Sequence, residues 1–171
     1  MRLLPIQILV VLLFSSALHT GLYAQEKQLV KLLNKALKEE VKMQKKNPDN
    51  YCGELFEVIA PYSIKGTKLS VTIKKQLPEE DATITETHEV VLDSIVHIVK
   101  DINILFETWP AAVTITRHTV YKNAPAVTGV FKSDLFFLQL CHEKNNETFA
   151  DELVKAFKKD GYTIKKRHWY D

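Results

Sequence analysis

The residues of this chain that most directly suggest chemistry are its two cysteines, Cys52 and Cys141. In an oxidising compartment two cysteines can form a disulfide, whereas buried free thiols act as small apolar side chains. Cys52 precedes the first predicted strand and Cys141 ends the last, so their sulfurs can meet if those strands lie close together. A disulfide and two free thiols both remain open, because the sequence does not show the distance between the residues. His142 follows Cys141, but neighbours on a strand point to opposite faces, so a nucleophile–base pair is not expected.

Two His-Glu pairs, His88-Glu89 and His142-Glu143, begin like the zinc-protease motif, which places a second histidine four residues after the first. Leu92 and Asn146 occupy those positions, so neither pair completes the motif. The histidines lack metal-ligand spacing, although separate strands can still bring three of them together. The chain also lacks a serine nucleophile elbow and a phosphate-binding loop signature. We therefore predict no catalytic residues, no cofactor and no metal site.

Charged residues form runs at two further places. Glu79, Glu80 and Asp81 follow a proline, and in such a polar loop we expect a solvated run rather than an acid–base pair. The tail, residues 162–171, joins cations to aromatics, a combination that suits anionic surfaces such as lipid headgroups. The candidate interaction surface consists of Lys165, Lys166, Arg167, Trp169 and Tyr170. The alternative is a tail that packs its aromatic rings back on the domain, or one that is disordered.

Residues 1–24 have the three regions of a cleavable signal peptide. Arg2 gives the positive start, residues 3–14 form the apolar run, and a polar segment leads to the small residue Ala24. A cut after Ala17 is a second option. The apolar run is shorter than the roughly 20 residues that span a membrane, which disfavours an uncleaved anchor. We therefore expect a secreted or periplasmic protein with no transmembrane segment after cleavage.

Composition fits one globular domain after the signal peptide. The chain of 171 residues is 46% hydrophobic and 26% charged, and the part after residue 24 is long enough to bury a core. The formal net charge is only +2, whereas nucleic-acid-binding proteins usually carry a strong basic excess. We expect no nucleic-acid partner, and we leave an envelope protein, a peptide or a lipid open.

Two helices are predicted, one at each end of the mature domain. In residues 25–46 an apolar residue recurs every four positions, at Leu29, Leu33, Leu37 and Val41. Lysines and glutamates occupy the other face of the predicted helix. Residues 47–50 end this helix. A second helix is predicted over residues 148–159, with Thr148 and Asp151 at the spacing of a capping box and Gly161 just beyond its end.

Between the helices the hydrophobic period changes to two, which predicts strands. Pro61 places the first strand at an edge, and Lys65-Gly66 indicates a hairpin turn after it. Residues 92–102 fit a helix or a strand, and we favour a strand over 95–100. We expect a loop over residues 122–133 and a central strand over 135–141. The predicted strands cover residues 55–64, 69–74, 82–91, 95–100, 102–108, 112–121 and 135–141.

A meander of about six or seven antiparallel strands followed by one helix resembles the pleckstrin-homology-like superfold over residues 55–160. The resemblance implies a strongly bent sheet, or a partly open barrel, with the last helix at one end and an added N-terminal helix. It also implies binding of lipids, peptides or proteins rather than catalysis, although a fold does not determine a function. A two-layer α+β sheet with both helices on one face is the alternative.

The predicted fold class is therefore α+β, with a helix and turn over residues 25–50, a domain over 51–161 and a tail over 162–171. The leading functional hypothesis is a small exported binding domain, with its ligand in the groove between the sheet and the terminal helix. One alternative is a small secreted hydrolase whose site forms only in the fold. The other is a structural subunit of an envelope complex.

Overall fold

The computed structural model describes residues 28–141 and 146–170. The predicted signal peptide, its two cut sites and the pair His142-Glu143 lie outside these residues. Within them the chain forms two helices and nine strands, arranged as two open sheets, which confirms the predicted α+β class. No helix in this part of the chain has both the length and the apolar character needed to cross a membrane.

The first helix, α1, covers residues 28–46 and ends at a 3-10 turn, Pro48–Asn50. Leu29, Leu33 and Leu37 are fully buried, as their spacing predicts. Glu40 follows on the same face and is also fully buried. Val41, which the sequence pattern places on the apolar face, is only half-buried. The prediction that glutamates of this helix face away from the core is therefore wrong for Glu40.

The strands vary in length from three to ten residues. They are β1 (Phe56–Lys65), β2 (Lys68–Leu77), β3 (Ala82–Val91), β4 (Ile95–Lys100), β5 (Ile104–Thr108), β6 (Val113–Tyr121), β7 (Val127–Ser133), β8 (Leu135–Phe137) and β9 (Lys165–Trp169). The strand predicted over residues 95–100 is confirmed, and a 3-10 turn, Leu92–Ser94, precedes it. The first sheet has the order β1-β2-β3-β6-β7 and the second has the order β8-β5-β4-β9.

The first sheet is antiparallel throughout, and β1 forms one of its edges. Pro61 therefore does lie in an edge strand, and the pairing of β1 with β2 shifts on both sides of Ala60. Gly66 has a φ of 61° in the turn that joins these strands. Because only glycine adopts this conformation without a steric penalty, the predicted hairpin turn depends on it.

Two strands that the sequence did not predict raise the count from six or seven to nine. Strand β7 lies in the predicted loop over residues 122–133, and β9 lies in the predicted tail. Most side chains of both strands are exposed, so neither has the alternation of buried and exposed residues that marks a strand. They are held instead by backbone pairing, β7 with β6 and β9 in parallel with β4.

The predicted central strand over residues 135–141 is also corrected. Only Leu135–Phe137 is a strand, and it forms an edge of the second sheet. Further along, Leu138 and Leu140 still exchange backbone hydrogen bonds with Ile104. Gln139 between them has a φ of 54°, and this left-handed conformation interrupts the strand.

The second helix, α2, covers Glu147–Lys159 and begins one residue earlier than predicted. The predicted capping box of Thr148 and Asp151 is wrong, because Asn146 occupies the N-cap position. The Asn146 side chain does not cap the helix and instead accepts a hydrogen bond from the ammonium group of Lys100. Gly161 follows the helix with a φ of 85°, as expected of a residue after a helix end.

One core joins both helices to both sheets. At its centre the rings of Phe106 and Phe136 stack with centroids 6.3 Å apart, and Phe157 of α2 meets Phe106 edge-on at 5.4 Å. All three side chains are fully buried. Phe106 and Phe136 are directly opposed in the pairing of β5 with β8, so both rings leave the same face of the second sheet. On that face they contact α2 and, through Tyr62 and His88, the first sheet.

Two side-chain amides attach α1 to the free edge of β1. The Asn34 amide donates to the carbonyl of Tyr62 at 2.9 Å and accepts from its N–H at 2.8 Å. The Gln44 amide makes the same pair of bonds with Phe56, at 2.6 and 3.0 Å. Each side-chain amide thus makes the two backbone hydrogen bonds that a residue of a neighbouring strand would make. Helix α1 therefore covers the edge of β1, where another strand could otherwise pair.

The substitution Gln44→Ala should destabilise the protein by about 2 kcal/mol, because it leaves a buried N–H and a buried C=O of Phe56 without partners. Urea unfolding would measure this loss. Lys45→Ala is the matched control, since Lys45 is an exposed neighbour on the same helix and should change stability by less than about 0.5 kcal/mol. Equal losses in the two variants would contradict the role given to Gln44.

Candidate functional site

The inner face of the first sheet carries ionisable side chains between apolar ones. Every second residue of β3 faces inward and is buried: Ala82, Ile84, Glu86, His88 and Val90. In the register of the sheet, Glu86 lies between Ile73 of β2 and Arg117 of β6. Two ionisable side chains therefore occupy the middle of a face where valine or isoleucine is usual.

A buried charged cluster forms around Glu86. Its Oε1 accepts a hydrogen bond from Nε of Arg117 at 2.7 Å and forms an ion pair with Nη2 at the same distance, and its Oε2 lies 3.3 Å from Nε2 of His88. Glu86 is 6% exposed and His88 is 4% exposed. The other ring nitrogen of His88, Nδ1, is buried and has no hydrogen-bond partner in the described part of the chain. The cluster therefore satisfies the carboxylate fully and the imidazole only in part.

These bonds determine the charge of Glu86. The hydrogen bond to His88 contributes most to lowering the pKa of Glu86 to about 2, and the bonds to Arg117 add to it, while burial acts in the opposite direction. Glu86 is therefore ionised over the physiological pH range. It serves as a fixed negative charge and cannot act as a proton donor near neutral pH.

An aromatic ring holds the other side of Arg117. The guanidinium carbon of Arg117 lies 5.1 Å from the centroid of the Phe131 ring on β7, which is a cation–π contact. Gly129 lies opposite Arg117, and a Cβ at Gly129 would be 3.0 Å from that ring. Glycine at this position therefore leaves room for the ring to lie beside Arg117, so the unpredicted strand β7 contributes directly to the site.

The cluster opens into a cleft of about 410 Å³. Its floor is the first sheet, and its wall is formed by the segment between α1 and β1, the turn before β5 and the residues from β8 onward. The lining residues are Tyr51, Gly53, Glu54, Phe56, Lys75, Glu86, His88, Asn103, Ile115, Arg117, Phe137, Gln139 and Cys141. None of these residues belongs to α2, so this cleft is not the groove between sheet and terminal helix that the sequence led us to expect.

A second hollow, of about 450 Å³, lies where α1 ends beside β1 and β2. Its lining includes Gln44, whose amide is committed to Phe56, and Lys74, whose amine lies 3.9 Å from the carboxylate of Glu57. The charged cluster of Glu86, His88 and Arg117 lines the smaller cleft and not this hollow. We therefore take the cleft, and not the larger hollow, as the candidate site.

A disulfide closes one wall of the cleft. Cys52 and Cys141 are joined, with their Cα atoms 6.1 Å apart. The buried carboxylate of Glu40 accepts hydrogen bonds from the Tyr51 hydroxyl and, at 3.1 Å, from the backbone N–H of Cys141. Burial, and then the bond to Glu40, raise the pKa of Tyr51 far above its ordinary value. The phenol therefore stays protonated and acts as a fixed donor.

The other residues singled out in the sequence lie apart from this cleft. Glu79 and Glu80 are exposed, and Asp81 pairs with Lys122 at 3.0 Å, so the acidic run is solvated as expected. His88 is the exception, because it lines the cleft and its Nε2 lies 3.3 Å from Oε2 of Glu86. Within the described residues, one group has metal-ligand atoms within 4.8 Å of one another, and it consists of Glu40 and the two joined cysteines.

The candidate surface on the tail is divided between two environments. Lys165 and Arg167 are exposed, whereas Lys166 forms ion pairs with Asp151 and Glu147 of α2 at 3.3 and 3.6 Å. Trp169 packs against the core, with the ammonium group of Lys100 at 5.8 Å from its ring. Tyr170 is exposed and stacks on His168. The five residues therefore do not form one continuous face.

Sequence reasoning missed Glu40, Glu86, Arg117 and Phe131. A signal for Glu86 was present, because it shares the inward face of β3 with Ile84 and Val90 and a strand alternates between faces. No comparable signal marks Phe131, since its strand is exposed on both faces. Comparisons with protein-family models, curated proteins and solved structures found no match to this chain. The chemistry of the cleft therefore carries the functional inference.

The variant Glu86→Gln should be less stable than the wild type by about 2–3 kcal/mol at pH 7, and this difference should vanish as the pH falls to about 2. The pKa of Glu86 is lower in the folded state than in the unfolded chain. Its stabilisation is therefore complete above the unfolded pKa and is lost as the pH falls through the folded pKa.

Denaturant unfolding between pH 7 and pH 2 would measure this dependence. Glu89→Gln is the matched control, because Glu89 lies on the outward face of the same strand and pairs with Lys68 at 3.3 Å near the surface. A constant difference between Glu86→Gln and the wild type over this pH range would contradict the assignment.

Proposed function

We propose that this protein is an exported binding domain whose cleft takes a small ligand that carries an anionic group beside an apolar one. The observation that carries this proposal is the buried cluster of Glu86, His88 and Arg117 at the cleft floor. Buried ion pairs usually stabilise a fold no better than apolar side chains of the same size. Charged groups in a concave site with perturbed pKa values are instead typical of functional sites.

The cations of the cleft support an anionic ligand group. Arg117 uses Nε and Nη2 on Glu86, and its side chain remains 43% exposed, so further N–H donors are available for a carboxylate or phosphate. Lys75 pairs at 2.8 Å with Glu54, whose side chain is 70% exposed. Because Glu54 can turn into solvent, a ligand anion can replace it on Lys75 at little cost.

The remaining walls support a short apolar part of the ligand. Phe56, Ile115 and Phe137 line the cleft beside the cations, and a volume of about 410 Å³ is in the range of small-molecule sites. A small amphipathic carboxylate or phosphate monoester combines these features.

The predicted export and the α+β fold class are both compatible with this proposal. The signal-peptide pattern of residues 1–24 predicts a mature domain outside the cytoplasm, which is compatible with a domain that binds a small ligand. The resemblance to the pleckstrin-homology-like superfold stays a prediction, and it also favours binding over catalysis. A structural subunit is less well supported, because Tyr170 is exposed beside the packed Trp169 and the two do not make a broad apolar patch.

A hydrolase is the second candidate, because the pair of Glu86 and His88 resembles the carboxylate–imidazole pairs that orient a general base. The cleft lining offers it few nucleophiles. The Tyr51 hydroxyl is bound to Glu40, the Cys141 sulfur is in a disulfide, and the lining residues include no serine or threonine. Such an enzyme would have to activate a water molecule directly.

A panel of short-chain and aromatic carboxylates and phosphate monoesters should contain compounds that raise the melting temperature and show saturable binding by calorimetry. Arg117→Gln and Lys75→Gln should each weaken that binding by about tenfold, since each removes a charge-assisted hydrogen bond. Lys122→Gln, which changes an exposed cation at the far end of the same sheet, should bind like the wild type.

Two results would overturn this proposal. Absence of binding across the panel would reject the anionic ligand, and unchanged affinity in both cleft variants would reject the site. Turnover of a bound phosphate ester, detected as released phosphate, would favour the hydrolase instead.

The full chain expressed in a Gram-negative host should be exported and processed, so that N-terminal sequencing of the exported protein begins at Gln25, or at Leu18 if the earlier cut is used. Leu12→Arg should block both export and processing, because it places a charge in the apolar run. An unprocessed wild-type chain in the cytoplasm would contradict the signal peptide.

A further inference from the structure

The disulfide between Cys52 and Cys141 is unevenly exposed. Cys52 is an exposed residue in the segment between α1 and β1, whereas Cys141 is half-buried after β8. Gly53 follows Cys52, and a Cβ at Gly53 would lie 3.3 Å from the Sγ of Cys141. The absence of a side chain at Gly53 leaves space beside the sulfur of Cys141. The exposure of Cys52 is what allows an external thiol to approach that residue from solvent.

A fully buried carboxylate lies beside the less exposed sulfur. Oε1 of Glu40 is 3.5 Å from the Sγ of Cys141 and 3.1 Å from its backbone N–H. A disulfide sulfur has no proton to donate, so this contact becomes a hydrogen bond only when Cys141 is a thiol. Glu40 also lies on the face of α1 that buries Leu33 and Leu37, where a carboxylate costs more than an apolar side chain.

We propose that Cys52–Cys141 is a thiol–disulfide exchange centre, in which Cys52 is the sulfur attacked by external thiols and Glu40 is the base that serves Cys141. The difference in exposure supports this division of roles. Cys52 is exposed to solvent, where an incoming thiolate can reach it, whereas Cys141 is half-buried beside Glu40.

The exchange is balanced in both directions. In reduction, an external thiolate attacks the Sγ of Cys52, the Cys52–Cys141 bond breaks, and Cys141 leaves as a thiolate that takes up a proton. A second external thiolate then attacks the mixed disulfide at Cys52, which releases an external disulfide and leaves Cys52 as a thiol after protonation. Two thiols are thereby oxidised to one disulfide while the protein disulfide is reduced to two thiols.

Glu40 acts in the reverse direction. When Cys52 carries an external thiol as a mixed disulfide, the Glu40 carboxylate takes the proton from the Cys141 thiol. The Cys141 thiolate attacks the Sγ of Cys52, the protein disulfide forms again, and the external group leaves as a thiolate. The proton on Glu40 then passes through water to that thiolate, which restores the carboxylate.

The test uses glutathione as the external thiol and the folded chain after residue 24. Oxidised protein is mixed with reduced glutathione, samples are acid-quenched and alkylated, and peptide mass spectrometry locates the adduct. We expect glutathione on Cys52 and not on Cys141. Cys141→Ser should accumulate the Cys52 adduct, because it cannot resolve it.

The role of Glu40 is tested on the resolving step. Glu40→Gln should slow the resolution of the Cys52–glutathione adduct by about a hundredfold at neutral pH, since it removes the base from Cys141. Glu39→Gln, which changes an exposed neighbour paired with Lys42, should resolve the adduct at the wild-type rate. Circular dichroism confirms that each variant is folded before its rate is compared.

Three results would overturn the proposal. The first is a reaction of the disulfide with glutathione that is no faster than global unfolding of the protein, which would make the disulfide purely structural. The second is a wild-type glutathione adduct on Cys141, which would reverse the roles of the two cysteines. The third is resolution of the adduct by Glu40→Gln at the rate of Glu39→Gln. The first two measurements use the wild-type protein, so the proposal remains testable if Glu40→Gln does not fold.

Discussion

The structure depends on the polar side chains that α1 places on its buried face. Asn34 and Gln44 complete the backbone hydrogen bonding of β1, and Glu40 between them holds both Tyr51 and Cys141. The edge of the first sheet and the wall of the cleft are thus fixed by one helix. A helix with only apolar residues on this face would bury as much surface, but it would leave the backbone of β1 without partners and the wall without an anchor.

The floor of the cleft contains buried charged groups, whereas the interior around Phe106 is apolar. Around Phe106 the core is apolar and packed ring against ring, whereas the face of β3 carries Glu86 and His88 among aliphatic neighbours. These charges are tolerated because Arg117 reaches Glu86 from the adjacent strand and remains partly hydrated itself. The charged pair therefore interrupts an otherwise apolar face at the place where the cleft opens.

Prediction from the sequence succeeded where burial makes one face of an element apolar. Strand β3 was located to the residue, and Leu29, Leu33 and Leu37 were correctly assigned to the core. Beyond Leu37 the four-residue period drifts away from the 3.6-residue turn of a helix, so the next inward position is Glu40 rather than Val41. Strands β7 and β9 left no such pattern, because backbone pairing holds them while most of their side chains face solvent. The partners of Glu86 and Glu40 come from distant strands and loops, and only the folded chain shows them.

Strand β9 is the last described element along the chain, yet it pairs in parallel with β4, which precedes β5, β6, β7, β8 and α2. All five strands of the first sheet are present once residue 133 has been synthesised, but the second sheet still lacks both of its edge strands, β8 and β9, at that stage. A nascent chain on the ribosome can therefore assemble the first sheet while Ile98 of β4 still lacks its pairing partner in β9. The second sheet is therefore completed only after β9 has been synthesised, later than the first sheet.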